Sequence, residues 1–289
     1  MRQRAVKTFT TKDVGDLYDQ TELIYKKSYN LEKSMALHHG FWREDTKGLW
    51  QALQHMNEEM AKLANISPED YMLDAGCGVG GSSVFVAKHI GCKATGITVS
   101  KSQVERATEN AAKHGVSHLL NFDLQDYTNT NFPDETFDVI WALESVGTAQ
   151  KTEDFVKEAF RILKKGGRIV IADCFLSKSD LNDKEHQLVQ KWLNPWVSNG
   201  LETSESLSTL LSQAGFTDIM PHNVTDNIFK TAKITYYGSF VMGFFGWLYK
   251  LYNPKVRPLP HNHYKACYYQ YIALRKGLWN YFMVYAEKK

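Results

Sequence analysis

Between residues 71 and 175, short apolar runs bounded by turn residues alternate with longer stretches whose apolar positions recur every three or four residues. The runs YMLDAG (71–76), KATGITVS (93–100), LLNFDLQD (119–126), FDVIWALES (137–145) and GRIVIADCF (167–175) predict strands. SKSQVERATENAAKHG (100–115) and KTEDFVKEAFRILKKGG (151–167) predict helices. TSESLSTLLSQAGF (203–216) adds a helix with a Ser/Thr start and a Gly stop, and LWNYFMVYAEK (278–288) a last strand. Strands alternating with helices predict an α/β, doubly wound architecture, a parallel sheet with helices on both faces.

Two long stretches interrupt the alternation, 176–202 with HQLVQKWLNPWVSNG and 229–277, which is dense in aromatics. Insertions of this size in a compact α/β unit usually serve as functional caps. Residues 1–60, with VGDLYDQTELIYKKSY and LHHGFW, read as a helical lid ahead of the first strand, leaving 61–289 as the main domain with its cap insertions. There is no internal repeat and no low-complexity linker.

Composition narrows the partners. Thirty-four basic against 32 acidic side chains give a net charge of +2, which leaves no basic footprint for nucleic acid. Cys77, Cys92, Cys174 and Cys267 lack zinc-ligand spacing and read as reduced thiols. The N-terminus has no apolar core of signal-peptide length, so a cytoplasmic protein is expected. ITYYGSFVMGFFGWLYKLY (234–252) approaches the length of a membrane span, but its three glycines and its Tyr and Trp content fit an interfacial or ligand-covering segment better. Peripheral membrane contact through this aromatic cap therefore stays open, as does the oligomeric state.

LDAGCGVGGSS (73–83) is the most informative stretch. Gly76, Gly78 and Gly81 satisfy GxGxxG, yet the dinucleotide fingerprint needs an acid at the end of the second strand. That strand ends GITVS, without a carboxylate. A nicotinamide-dependent oxidoreductase is thereby disfavoured, and a ligand-free glycine turn is the bland alternative. In order, LDAGCGVGGSS, GITVS, FPDETFDVIWALES and FRILKKGGRIVIAD resemble the motif set of class I S-adenosylmethionine-dependent methyltransferases over about residues 60–176. GVGGSS, GITVS and HHGFW are most similar to the tocopherol- and sterol-type small-molecule enzymes, several of which methylate carbon.

The resemblance implies a Rossmann-like, mostly parallel, seven-stranded sheet with S-adenosyl-L-methionine as cofactor. Asp74 organises the glycine turn, and Gly76, Gly78 and Gly80 let backbone approach the cofactor near a helix N-terminus. It further implies that Thr98, Ser100 and Gln103 replace the ribose acid and that Gln125, Asp126 and Tyr127 flank the adenine, with Leu143 beside the cofactor. Asp126 has a competing role as the cap of the next turn. Tyr18, His39, Phe41 and Trp42 are lid contacts to cofactor or substrate in this reading, and ordinary packing in the alternative. His38 and His39 are adjacent, their side chains diverge, and no third ligand is evident, so no metal is expected.

Glu144 follows an apolar strand at the carboxyl edge, where open α/β sheets bind ligands, and related carbon methyltransferases carry a substrate-facing glutamate there. It is the candidate catalytic residue, against a solvated loop acid. Many relatives also have a histidine a few residues later, whereas here the chain reads ESVGTAQ with Thr148 near that place, which puts histidine base chemistry at that position in doubt. The cap aromatics Trp192, Trp196, Tyr237, Phe240, Phe244 and Trp247 are candidate substrate contacts, against a core role, and imply a small hydrophobic acceptor. Lys255, Arg257, His261, His263, Lys265 and Arg275 either meet an anionic head, which brings in a prenyl diphosphate with a divalent ion, or form a solvated surface. The function expected is methyl transfer to a terpenoid, sterol-like or phenolic lipid, with carbon favoured. Oxygen or nitrogen transfer and a non-catalytic cofactor-binding module are the alternatives.

Overall fold

The computed structural model describes residues 8–28, 34–252 and 263–289, and the side chains at 21–28, 245–252 and 263 lie outside that description. The chain runs α1 (Thr11–Ser28), α2 (Leu49–Leu63), β1 (Tyr71–Ala75), α3 (Gly81–His89), β2 (Lys93–Thr98), α4 (Lys101–Lys113), β3 (Leu120–Leu124) and β4 (Phe137–Leu143). It continues through α5 (Thr152–Ile162), β5 (Leu163–Leu176), α6 (Asp183–Leu193), α7 (Ser204–Ala214), β6 (Phe216–Asn223), α8 (Thr225–Tyr252), α9 (His263–Arg275) and β7 (Trp279–Lys288). The seven strands form one sheet in the order β3-β2-β1-β4-β5-β7-β6. All neighbours are parallel except β7, which lies antiparallel between β5 and β6.

The central strands are nearly continuous apolar runs because both faces are covered. Met72, Val139, Trp141 and Val170 point into one core, with Met56 and Met60 of α2, Val86 of α3, Val189 of α6, Ile228 of α8 and Ala266 of α9. Their chain neighbours Leu73, Ile140 and Ile169 point into the other, with Phe155 and Ile162 of α5 and Leu207 of α7. The period of two along each strand thus divides helices between the faces. Both cap insertions fall on the first face: α6, which starts with a capping box between Asn182 and Glu185, and the pair α8 and α9.

Two local readings differ. KKGG (164–167) belongs to β5, not to the preceding helix, and the register of β5 on β4 shifts between the Phe137–Leu163 and Val139–Arg168 pairs. Gly166, at φ +73°, supplies the left-handed turn of that irregularity. β6 was not evident as a strand because FTDIMPHN is polar and holds Pro221. As an edge strand it needs only one row of ladder bonds, so proline and polar side chains are tolerated.

Arg168 ties the bottom of the sheet together. Its guanidinium donates to both oxygens of Asp70, at 2.6 and 3.1 Å, and to the main-chain oxygens of Ala64 and Asn65 behind α2. The two side chains are 16% and 11% exposed, so removing one partner strands the other charge and several carbonyls. Arg168→Ala is expected to lower stability by about 3–5 kcal/mol, read as a shifted denaturation midpoint at an unchanged slope.

Candidate active site

Chain order reverses between β1 and β4, and the carboxyl ends of these strands open the crevice where doubly wound sheets hold ligands. A cavity of about 480 Å³ occupies it. Its floor comes from β1, β2, β4 and β5, and its cover from α1, the 35–39 segment, α2, α6, α8 and α9.

At the β1 end, Asp74 is buried, accepts the Ser83 hydroxyl at 2.7 Å, and is pushed up to about 6 by burial. Gly76 stands at φ +86°, and a Cβ there would lie 2.5 Å from the Cβ of Ser145. Gly78, at φ +53°, would direct a Cβ into open space at the cavity wall. The N–H groups of Gly78 and Val79 have no acceptor among the described residues. Gly80 does not line the cavity; its missing side chain makes room for Ala107 and Phe122. Gly81 lies under the main chain of Met35, whose oxygen would be 2.1 Å from an added Cβ, so this glycine is required by the crossing of the N-terminal segment.

At the end of β2, Thr98 donates to the Gln103 amide oxygen at 2.6 Å, and both line the cavity. Ser100 does not; it caps α4 by accepting from the Gln103 N–H and binds Asp19 of α1. Gln125 and Asp126 also lie off the cavity. The Gln125 amide accepts from the Asn131 N–H. Asp126 caps the turn through Thr128 and receives the Thr11 hydroxyl from α1 at 2.7 Å. Tyr127 lines the wall and donates to the Ser145 carbonyl at 2.7 Å. Leu143 and Tyr18 line it too, and burial, with the negative charge of Glu144, pushes the Tyr18 hydroxyl up to about 12.

Glu144 sits one residue past β4 in a left-handed conformation, φ +50°, that few non-glycine residues adopt. Its Oε1 accepts three bonds: from the His39 N–H at 2.6 Å, from His39 Nδ1 at 2.9 Å and from the Tyr281 hydroxyl at 2.9 Å. Oε2 takes none among the described residues, and the carboxyl lines the cavity. Burial alone would raise its pKa, but His39, through charge and two hydrogen bonds, and His38, through charge, hold it below the ordinary range. His39 Nε2 is buried without a partner among the described residues.

Sequence reasoning missed Tyr281, a strand residue 137 positions from Glu144, and Asp173, on β5 beside the same cavity. Asp173 is pushed up to about 7 by burial and by the Glu144 charge, while accepting from the Cys174 and Gly147 N–H groups. The one available signal was an aspartate inside an otherwise apolar strand end, IVIADCF.

Trp192 and Trp196 line the cavity. Trp42 does not: its indole donates to the Thr231 hydroxyl at 2.8 Å, with Lys230 over the ring. From α8 the wall takes Thr231, Ile234, Thr235, Gly238 and Met242, so Tyr237, Phe240 and Phe244 face outward at 59%, 52% and 56% exposure. The side chain of Trp247 lies outside the described residues, as do Lys255, Arg257, His261 and the side chain of His263. Lys265 and Arg275 are exposed and off the cavity. Among the described residues no cluster of side chains could hold a metal ion, and no helix is long and apolar enough to cross a membrane.

A glycine turn leading into α3 stands at the switch point, beside the neutral polar side chains of Thr98 and Gln103. The family profile described as mycolic acid cyclopropane synthetase matches residues 6–236, and the chain belongs to that family of S-adenosylmethionine-dependent methyltransferases. Methyltransferase GfsG of Streptomyces halstedii is 28% identical over 71% of this chain and 73% of its own. The sterol 24-C-methyltransferase erg6 of Aspergillus fumigatus is 34% identical over 58% of this chain, and the match spans only 45% of that enzyme. Among solved structures, the [4+2]-cyclase SpnF superposes with a TM-score of 0.79 over 99% of both chains at 22% identity. A geranyl diphosphate methyltransferase bound to that diphosphate and sinefungin gives 0.75 over 96% of this chain and 99% of its own, at 17% identity. At such identities the two structures speak for the fold.

Two measurements follow from the geometry. Gly78→Val places a branched side chain in the open cradle, so S-adenosylmethionine binding by calorimetry should be lost while the circular dichroism stays that of the folded protein. Asp173 has a folded pKa above its unfolded value of 3.8, so the native state binds the extra proton between about pH 4 and 7, and stability falls as pH rises through that window. Asp173→Asn should flatten this dependence and be more stable than the parent at pH 8 by roughly 1–4 kcal/mol, measured by denaturation across pH.

Proposed function

We propose that this protein transfers a methyl group to a carbon of a small hydrophobic acceptor, a terpenoid, sterol-like or phenolic lipid, with Glu144 as the base that completes the reaction. When bound, S-adenosylmethionine supplies an electrophilic methyl group. The N–H groups of Gly78 and Val79 and the start of α3 would hold its carboxylate, and Thr98 and Gln103 its ribose hydroxyls, with Tyr18 and Leu143 alongside. The open space at Gly78 and the unmatched N–H groups fit such a ligand. Residues 1–60 act as a lid: α1 is tied to the rim by Thr11 to Asp126 and by Asp19 to Ser100 and Ser102.

The observation that carries the reading is the state of Glu144. Its oxygen Oε1 is fixed by three donors and its pKa is depressed, so at neutral pH it is an ionised carboxylate with Oε2 left for the acceptor. Such a weak base suits the proton beside a carbocation, which is strongly acidic. It suits a phenol, near pKa 10, poorly. Attack by an alkene carbon leaves such a cation on the acceptor; loss of the adjacent proton to Oε2 forms the new double bond, and the negative charge of Glu144 stabilises the cation beforehand. Trp192 and Trp196 line the same cavity, where a ring face turned to the positive charge would contribute roughly 0.5–2 kcal/mol.

Glu144→Gln should leave cofactor affinity unchanged and lower turnover by roughly 100- to 10,000-fold. Full turnover by that variant on the methylated acceptor removes both the role of Glu144 and the preference for carbon. The outward face of α8, with Tyr237, Phe240, Val241 and Phe244 all more than half exposed, is proposed to lie against a lipid surface from which the acceptor enters. Phe240→Ser with Phe244→Ser should reduce co-sedimentation with phospholipid vesicles several-fold without changing cofactor binding; failure of the parent to sediment with vesicles ends that part of the proposal.

A further inference from the structure

Gln270, on α9, is the polar side chain of the acceptor end that methyl transfer leaves without a task. It is 8% exposed and lines the cavity. Its main-chain carbonyl accepts the indole N–H of Trp279 at 2.9 Å, which fixes the residue in place. Its side-chain amide has only the Cys174 thiol beside it. No other hydrogen bond to that amide is present among the described residues, and the side chain lines the cavity. A hydroxyl or carbonyl oxygen of a ligand in the cavity would take up the amide's remaining hydrogen-bonding positions.

Charge is the second observation. The described walls of the cavity carry the carboxyls of Asp74, Glu144 and Asp173 and no lysine or arginine. Lys265 and Arg275 lie on the same helix as Gln270, yet both are exposed and away from the wall. A phosphate, sulfate or carboxylate brought in beside Glu144 would lose its hydration and meet that carboxylate's charge, with only the imidazoles of His38 and His39 as basic groups among the described lining residues.

We infer that Gln270 reads a neutral hydroxyl or carbonyl oxygen on an otherwise apolar acceptor, and that the site rejects acceptors with an anionic head. The inference rests on the proposed transferase reading only in taking the acceptor as a second occupant of this cavity. It separates the chain from enzymes that act on prenyl diphosphates, although one of them shares its fold.

Binding is measured without turnover by tryptophan fluorescence quenching in the presence of S-adenosylhomocysteine, since Trp192 and Trp196 stand in the wall. Two matched sets serve as probes: farnesene, farnesol and farnesyl diphosphate, and cholestane, cholesterol and cholesterol sulfate. In at least one set the alcohol should bind about tenfold more tightly than both its hydrocarbon and its anion, the weight of one good hydrogen bond. Gln270→Leu should erase that preference over the hydrocarbon, leaving hydrocarbon and cofactor affinities within about twofold of the parent. Cofactor affinity also reports that the variant is folded. Anion binding as tight as the alcohol, equal losses for alcohol and hydrocarbon in the variant, or no quenching by either alcohol overturns the inference. Methyl transfer to the same probes is followed separately: a bound alcohol that is never methylated counts against the transferase reading and leaves the Gln270 result standing.

Discussion

One carboxylate oxygen organises the working end of this molecule. Oε1 of Glu144 accepts a main-chain N–H and an imidazole nitrogen from His39, 105 residues earlier, and the hydroxyl of Tyr281, 137 residues later. Each donor would cost free energy if buried without an acceptor, so the three bonds fasten the N-terminal segment, the end of β4 and the antiparallel β7 to one point. They also explain why a non-glycine residue holds φ +50° there: the surrounding bonds over-determine the conformation.

The cover of the cavity is fastened by different means at its rim and at its centre. At the rim, α1 is held by part-buried hydroxyl to carboxylate bonds, Thr11 to Asp126 and Ser100 to Asp19. Toward the centre the cover is apolar, with Val14, Met35, Leu37, Leu49 and Leu53 facing the glycine turn and strand ends. The main chain at Met35 presses so closely on α3 that Gly81 admits no side chain. Burial of the carboxyl groups beneath this cover raises the pKa of Asp74 and, together with the Glu144 charge, that of Asp173, and it strengthens the interactions that the charge of Glu144 makes.

Much of the scaffold is legible in local pattern, because strand and helix periods are properties of neighbouring residues. Five parallel strands, the helices between them, the glycine turn at the switch point and the family all follow from residues 60–176 read in order. Asp74, Gly76, Gly78, Thr98, Gln103, Tyr127 and Leu143 do line the cavity, since their places are set by the ends of strands or by the turns that follow them. Ser100, Gln125 and Asp126 are as close in sequence and yet lie elsewhere, because capping and the approach of α1 occupy their polar atoms first.

The cap illustrates what sequence leaves open. In α8 the aromatic positions 237, 240 and 244 and the non-aromatic positions 231, 235, 238 and 242 interleave along a helix whose polar and apolar residues are spread around its axis, so no amphipathic stripe tells inward from outward. Packing against α9 and the sheet decides it, and the non-aromatic positions turn inward to line the cavity. Sequence determined the sheet, the cofactor turn and an acid at the end of β4, all of which depend on contacts within an element or to its neighbour. Tertiary structure alone decided that Glu144 is gripped by His39 and Tyr281, that Asp173 and Gln270 share its cavity, and which face of α8 lines that cavity. Those pairings join residues far apart along the chain, and no local periodicity encodes them.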